Sequence, residues 1–234
     1  MIHVCEPREE GKAKIEPFIK ALLKNFQPAF YPFQTTSVDE MVIGWKGRFL
    51  HKQYNAMKRR KHNIKTFGIC DSTTGYIYNL LVYFGKDTSY IPESDEDSSQ
   101  AVKVFKTLME PLRHSGHIFT DRYYYYTSVP LITYHLSSAR HYYTGTLNVN
   151  KSFFPPQLKT LRLKHLEEQY FYHEERDILC VTRKDKKAKK PCIMVATNFR
   201  VGSTEIREGC RQVSNPVMIQ DYTNYTNGSD RATR

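Results

Sequence analysis

The chain has 234 residues, of which 40% are hydrophobic and 25% are charged. This balance excludes a disordered chain and predicts one folded domain with room for an insertion. Its net charge of +11 favours an anionic partner, nucleic acid first, because basic side chains release counterions from a phosphate backbone. No apolar run reaches the ~18 residues of a membrane-spanning helix, so we expect no membrane partner.

The first part of the chain predicts a helix followed by an antiparallel meander. Apolar residues recur at helical spacing from Lys14 to Phe26, and Pro28 breaks this pattern. Residues 37–45 are rich in valine, isoleucine and methionine and predict a strand that carries Asp39. Residues 63–70 and 75–84 predict two more strands joined by a tight turn.

The middle of the chain predicts parallel pairing through a crossover helix. Apolar residues line one helical face from Val102 to Leu112. The short apolar run from His117 to Asp121 fits a buried strand placed beside the first one. Another helix is predicted to open at Ser128, and residues 142–147 predict a further strand. The predicted order is therefore βββαβαβ.

The amino-acid composition changes beyond Asn150. A charged stretch (159–176), a β-like run (178–182) and a basic run (184–190) follow one another. A last apolar stretch at 217–219 leads into a polar tail. We therefore predict a helical lead-in (1–36), the first part of a core (37–149), a β-rich insertion lobe (150–216) and a return to the core (217–234).

Two aspartates on predicted neighbouring strands are the candidate chemical groups. Hard divalent cations prefer carboxylate oxygens, and phosphodiester chemistry commonly uses two such cations ~3.5 to 4 Å apart. Asp39 and Asp121 fit two ligand positions, with a third acid expected on a later helix. Glu40 is predicted to face the other side of the strand. On the residues alone, a structural role for both aspartates at strand ends is the commoner explanation.

The sequence around these aspartates resembles the piggyBac transposase family. The resemblance covers nearly the whole chain and is weakest between Phe154 and Val213. Five blocks follow the family's order at roughly its spacing: residues 37–48 (SVDEMVIGWKGR), 64–76 (IKTFGICDSTTGY), 116–122 (GHIFTDR), 126–131 (YTSVPL) and 144–147 (TGTL).

The resemblance implies a fold, a reaction and a set of ligands. The fold is an α/β, RNase H-like mixed sheet flanked by helices, with a β-rich insertion lobe. The reaction is metal-dependent DNA strand cleavage and transfer in cut-and-paste transposition. By motif, the family's first two aspartates fall on Asp39 and Asp121, and residues 221–232 resemble the segment that carries the third, at Asp230. Together they would hold two Mg²⁺ or Mn²⁺ ions.

The resemblance also implies partners and a location. Double-stranded DNA with TTAA targets and transposon ends would be the substrate, a homodimer is possible, and the site of action would be the nucleus. The candidate phosphate contacts are Arg122, beside the second aspartate, and the cluster Lys58, Arg59, Arg60 and Lys61. The basic run at 184–190 is another candidate. For each of the two lysine-rich clusters, an ordinary solvated surface is an equally common explanation.

Some features depart from the family pattern. Thr127 and Ser128 come two residues later after Asp121 than in the family. Only four residues follow Asp230, too few for an isolated helix, given a typical need of ~12 or more. We therefore expect a C-terminally truncated core in which Asp230 is not held. A catalytically inert, domesticated or decayed module that keeps at most DNA or protein binding is the alternative to an active enzyme.

Overall fold

The structure is a computed structural model that describes residues 11–56, 60–91, 99–114, 116–120, 141–147, 154–208 and 211–232. At residues 176, 208, 211, 229 and 230 it describes the backbone and not the side chain. The helix predicted to open at Ser128 lies outside the described residues. Among the described helices, none is long and apolar enough to cross a membrane.

The described elements follow the predicted order closely. The strands are β1 (Thr35–Gly44), β2 (Gln53–Tyr54), β3 (His62–Asp71), β4 (Ile77–Val82), β5 (His117–Thr120), β6 (Tyr142–Thr146), β7 (Glu168–His173), β8 (Ile178–Arg183), β9 (Cys192–Thr197), β10 (Ser203–Glu208) and β11 (Arg211–Pro216). The helices are α1 (Glu16–Ala29), α2 (Gln100–Met109), α3 (Pro156–Lys159), α4 (Val217–Tyr225) and α5 (Gly228–Ala232).

The first helix continues one residue past its predicted break. Pro28 lies inside α1, which ends at Ala29. A proline in the last turn removes a single backbone hydrogen bond, so the helix ends just after Pro28 rather than before it. The other predicted elements of the described residues up to Thr146 are confirmed within a few residues, and the two-residue strand β2 is an addition.

A single mixed sheet organises the chain. Its strand order is β2-β3-β1-β5-β6-β9-β8-β7, with β4 also paired to β3. β3 runs antiparallel to β1, whereas β5 is parallel to β1 and β6 is parallel to β5. The connection from the meander to β5 contains α2, as a parallel crossover requires. The predicted mixed sheet flanked by helices is confirmed.

Helices cover both faces of the sheet, because alternate residues of each strand point to opposite sides. On one face α2 buries Phe105 and Leu108 against Val38, Ile118 and Tyr143 of the central strands. On the other face α4 places a methionine over β8 and β9. The buried residues of this second cluster are Met218, Leu179, Val181, Met194 and Ala196.

The β-rich segment predicted as an insertion lobe continues the main sheet. β9 pairs antiparallel with β6, β8 with β9, and β7 with β8. Among the described strands, only the hairpin of β10 and β11 forms a sheet of its own. Pairing through β9 covers the outer edge of β6, which would otherwise expose unpaired backbone groups. The domain boundaries at residues 150 and 216 stay predictions.

The last described residues form a docked helix, which corrects the expectation that the Asp230 segment is not held. Arg231 Nη1 donates hydrogen bonds to the carbonyls of Ser72 (3.0 Å) and Thr73 (2.6 Å). A Cβ on Gly228 would overlap Ser37 Oγ and come within 3.0 Å of a β3 carbonyl oxygen. Tertiary contacts thus stabilise α5, although it is too short to be stable alone.

Candidate functional site

Asp39 lies half-buried in the middle of β1. Its Oδ1 accepts a hydrogen bond from the Glu40 backbone N–H at 2.6 Å. The residue opposite on β3 is Gly68, and the end of the Met41 side chain occupies the space where a Cβ of Gly68 would stand. The strand next to Asp39 therefore presents no side chain at this position.

The parallel pairing of β1 with β5 brings the end of β5 next to Asp39. Val38 is in register with Thr120, the last residue of β5. Asp121 follows Thr120 directly in the sequence but lies outside the described residues, as does Arg122. The position of Asp121 opposite Asp39 is a prediction that this register supports.

The sheet face that carries Asp39 is the face covered by α4 and α5. Ser37, two residues before Asp39 and on the same face, is in contact with Gly228 of α5. On β5, the Phe119 ring lies 5.3 Å from that of Tyr225 in α4. Asp230 belongs to α5, and its side chain is not described. The fold thus brings β1, the end of β5 and α5 together on one face.

Glu40 is excluded from this face, as predicted. Its carboxylate forms an ion pair with Lys65 Nζ at 2.8 Å. The same ammonium group lies 4.9 Å from the centre of the Phe67 ring, on the α2 side of the sheet. The two adjacent acids of β1 therefore have separate roles: Glu40 is paired within the fold, and Asp39 faces α4 and α5.

A third carboxylate, which the sequence analysis did not single out, has a structural role. Asp71 is fully buried at the end of β3. It accepts backbone N–H groups of Phe33 (2.9 Å), Thr73 (3.0 Å) and Thr74 (2.7 Å), together with the Thr74 hydroxyl at 2.9 Å. The signal in the sequence is the Asp-Ser-Thr-Thr-Gly turn. Asp71 fixes the turn on which Arg231 docks.

His117, the first residue of β5, also has a structural role. Its Nε2 lies 2.7 Å from Thr144 Oγ1, and its ring stacks on Phe119 with centroids 4.4 Å apart. Burial lowers the pKa of His117 to about 4. The imidazole is therefore neutral at neutral pH, and it packs the α4 side of the sheet without adding a charge near Asp39.

The described ligand set fits a divalent cation only in part. Within the described residues no group of three or more His, Cys, Asp or Glu side chains is placed to hold a metal ion. Asp39 is the one predicted ligand whose side chain is described. A half-buried carboxylate on a strand beside a parallel strand end suits a hard cation such as Mg²⁺. The fit of the site therefore depends on Asp121 and Asp230.

The two predicted basic contacts that the structure describes, Arg60 and Lys61, are not adjacent to Asp39. The Arg60 side chain crosses Gly44, five residues further along β1. The Lys61 carbonyl accepts the Asn55 N–H at 2.8 Å, and the Lys61 side chain is exposed. Lys58 and Arg59 lie outside the described residues. Arg60 and Lys61 thus lie at the carboxyl end of β1, beyond the carboxylate site.

A cleft of about 670 Å³ opens at the other end of the same strands. It is lined by residues that precede or begin β1 and β5, among them Phe33, Thr35 and Gly116, and by Tyr225. Asp39 is not among its lining residues. The cleft and the carboxylate site are therefore separate features.

Comparison with known proteins identifies the family. A family model described as transposase IS4 matches residues 3–234. The cryo-EM structure of a piggyBac transposase synaptic complex with hairpin DNA is similar in fold, with a TM-score of 0.77 and 23% identity over 93% of this chain and 43% of that chain. This chain thus spans less than half the length of that relative. Endonuclease V from Bacillus subtilis matches at a TM-score of 0.33 with 11% identity, over 83% of this chain and 80% of that one, too weakly to support an argument. The chain therefore belongs to the transposase IS4 family, of the piggyBac type, and has the RNase H-like fold of a DDE transposase.

Proposed function

We propose that this transposase-derived chain catalyses DNA strand cleavage and transfer through Asp39, Asp121 and Asp230. The observation that supports the proposal is the parallel pairing of β1 with β5, next to Asp39, on the face where α5 docks. Three elements that carry or directly precede a predicted acid thus lie together on one face. Carboxylates from two neighbouring strands and a helix would bind two Mg²⁺ or Mn²⁺ ions.

The side chains around Asp39 have supporting roles in this proposal. When bound, a pair of divalent ions would activate the attacking oxygen and stabilise the leaving oxygen of a phosphodiester. Asp39 would hold them from β1, while the Glu40–Lys65 ion pair keeps the neighbouring acid away. Asp71 and Arg231 would hold α5 in the position from which Asp230 could bind the same metal ions as Asp39.

The proposed substrate is double-stranded DNA, with TTAA targets and transposon ends as the family resemblance implies. Its phosphates would be contacted by Arg122 and by the cluster Lys58, Arg59, Arg60 and Lys61. Action on chromosomal DNA would require the protein to enter the nucleus, and a homodimer would act on two DNA ends at once. These proposals follow from the family and from the net charge of +11.

An inert module is the second candidate function. The shift of Thr127 and Ser128 relative to the family pattern alters the segment that directly follows Asp121. Under this alternative the chain keeps DNA or protein binding and has lost cleavage.

Calorimetric titration of Mn²⁺ is the first step of the test and shows whether the aspartates bind a metal ion. The chain is compared with Asp39→Asn and Asp121→Asn, after urea unfolding has shown that each protein is folded. Asp87→Asn is the matched control, because Asp87 is an exposed acid outside the site. We expect binding by the unmodified chain and the control, and loss of binding in both site variants.

A strand-cleavage assay with Mn²⁺ completes the test. Cleavage that disappears in Asp39→Asn and persists in Asp87→Asn is the expected result. Metal binding without cleavage would favour the inert module. Mn²⁺ binding that persists unchanged in both site variants would show that these aspartates are not the ligands.

A further inference from the structure

The turn between β8 and β9 carries the densest positive charge of the described residues. This turn, residues 184–191, is here named the basic hairpin; it contains Lys184, Lys186, Lys187, Lys189 and Lys190. All of these lysines except Lys184 are exposed, and within the described part of the chain none of the five forms an ion pair.

The acidic residue in this turn does not cancel the charge of the lysines. Asp185 Oδ1 lies 3.4 Å from Nε of the buried Arg183. The segment before β7 brings one base and one acid to the same place, Lys164 and Glu167: Leu166 N donates to the Lys184 carbonyl at 2.7 Å, and Lys184 N donates to the Glu167 carbonyl at 3.2 Å. This segment therefore leaves the net charge of the five lysines unchanged. The basic hairpin therefore presents a concentrated positive surface.

Strand direction places the basic hairpin at the same edge of the sheet as the carboxyl ends of the central strands. β5 and β6 run parallel to β1, and β9 runs antiparallel to β6. β9 therefore begins where β5 and β6 end. The hairpin that precedes β9 lies at the edge towards which β1 runs after Asp39.

Register gives the separation between the hairpin and Asp39. Thr146, one position beyond the level of Val38 and Thr120, pairs with Met194, which pairs with Val181. Across the sheet, four strand spacings of ~4.8 Å separate β1 from β8. Along β8, three residues of ~3.3 Å each lead from Val181 to Lys184. The distance from Asp39 to Lys184 is therefore about 20 Å. At ~3.4 Å per base pair, a duplex covers that distance in about six base pairs.

The turn between β7 and β8, at the opposite edge of the sheet, is net acidic. It contains the exposed acids Glu174, Glu175 and Asp177 and one arginine, Arg176. A polyanion is therefore attracted to the hairpin edge and repelled from the β7–β8 edge. Segregation of charge between the two edges of one sheet is unlike an evenly mixed solvated surface.

We propose that the basic hairpin binds the phosphate backbone of duplex DNA about six base pairs from the phosphodiester that is cut beside Asp39. The lysines act as point charges on a turn, so this contact is independent of base sequence. The position of the cut rests on the proposed function, but binding by the hairpin does not. The hairpin thus gives the protein a requirement for DNA that flanks the reaction site.

The test measures how salt affects binding to a duplex of about 30 base pairs. One variant combines Lys186→Gln, Lys187→Gln and Lys189→Gln. The matched control combines Lys14→Gln, Lys20→Gln and Lys24→Gln, which removes the same charge from exposed positions at α1. Fluorescence anisotropy at several salt concentrations gives the affinity and its salt slope.

We expect the hairpin variant to bind about tenfold more weakly at moderate salt, with a slope of log K against log salt that is smaller by about 2 to 3. The control should keep the slope of the unmodified chain. Equal losses in the two variants, no loss in the hairpin variant, or no DNA binding by the unmodified chain would each overturn the proposal.

Two more variants keep this test separate from catalysis and from folding. Asp39→Asn should abolish cleavage and leave the salt slope unchanged, so an inactive protein still reports on the hairpin. Lys187→Glu changes a single exposed side chain and should weaken binding without changing the urea unfolding curve. Unaltered binding by a folded Lys187→Glu protein would contradict the hairpin contact.

Discussion

Asp39 and Asp71 lie on the neighbouring strands β1 and β3, three residue positions apart along the strands. Their different surroundings give them different roles. Asp71 ends β3, is fully buried and accepts hydrogen bonds from three backbone N–H groups and a hydroxyl. Asp39 is half-buried and faces α4 and α5. The structural role that is common for aspartate at a strand end belongs to Asp71. Asp39 is the one placed to meet ligands from β5 and α5.

Replacing Asp71 tests this division at the scale of one residue. Asp71→Ala leaves several buried donors without an acceptor, and we expect a loss of unfolding free energy on the order of 3 kcal/mol. Urea unfolding measures the loss, with the exposed acid Asp87→Ala as control. A difference between the two variants below about 1 kcal/mol would show that the turn does not depend on the buried carboxylate.

At the scale of elements, the position of α5 depends on close packing. Gly228 contacts β1 through Ser37, and Arg231 binds the turn after β3 through Ser72 and Thr73. The helix is five residues long, so its own backbone hydrogen bonds cannot stabilise it. The tertiary contacts therefore decide whether Asp230 comes near Asp39.

Gly228→Ala should release α5 while the sheet stays folded. The added Cβ meets the Asp71 carbonyl, a backbone atom that cannot rotate away, and an overpacked contact of this kind typically costs about 1 to 3 kcal/mol. Hydrogen exchange should become faster in residues 228–232 and stay slow in β1 and β3. At Gly202 an added Cβ would stand 3.7 Å from its nearest neighbour, a methyl group of Val217, so Gly202→Ala is the control. Equal exchange in α5 of both variants would contradict the packing argument.

At the scale of the whole molecule, stability should depend on pH through a buried histidine. The pKa of His117 is about 4 in the folded chain, because burial disfavours the charged imidazole, against about 6.5 when unfolded. Between these two pKa values the unfolded state binds more protons than the folded state. The contribution of His117 to the unfolding free energy is therefore complete above about pH 6.5 and falls as the pH drops towards 4. The pKa of His141 is also lowered by burial and acts in the same direction. The pKa of Asp221 is raised by burial and offsets part of the loss.

We therefore expect the unfolding free energy to fall by up to about 3 kcal/mol between pH 6.5 and 4 through His117. His117→Gln should flatten this dependence, since glutamine does not titrate and retains a polar group for Thr144. Urea unfolding at a series of pH values measures both proteins. A variant as sensitive to acid as the unmodified chain would show that another group controls the effect.

The sequence by itself determined the local elements and the family. Periodicity located α1, the meander, α2, β5 and β6, because these patterns involve residues close together in the chain. The ordered blocks around Asp39 and Asp121 identified the family, which the match over residues 3–234 confirms. Glu40 was correctly assigned to the opposite face, since strand alternation is a local property.

Only the tertiary structure decided how distant segments meet. The pairing of β9 with β6 carries the predicted lobe into the main sheet, and no local pattern shows which strand will cover an edge. The docking of α5 contradicts the expectation from its short length, because Ser72 and Thr73, far away in the sequence, supply its contacts. The basic hairpin is visible as a run of lysines, but strand direction alone places it on the edge towards which β1 runs from Asp39. Such contacts depend on long-range pairing, which a sequence specifies only through the energy of the whole fold.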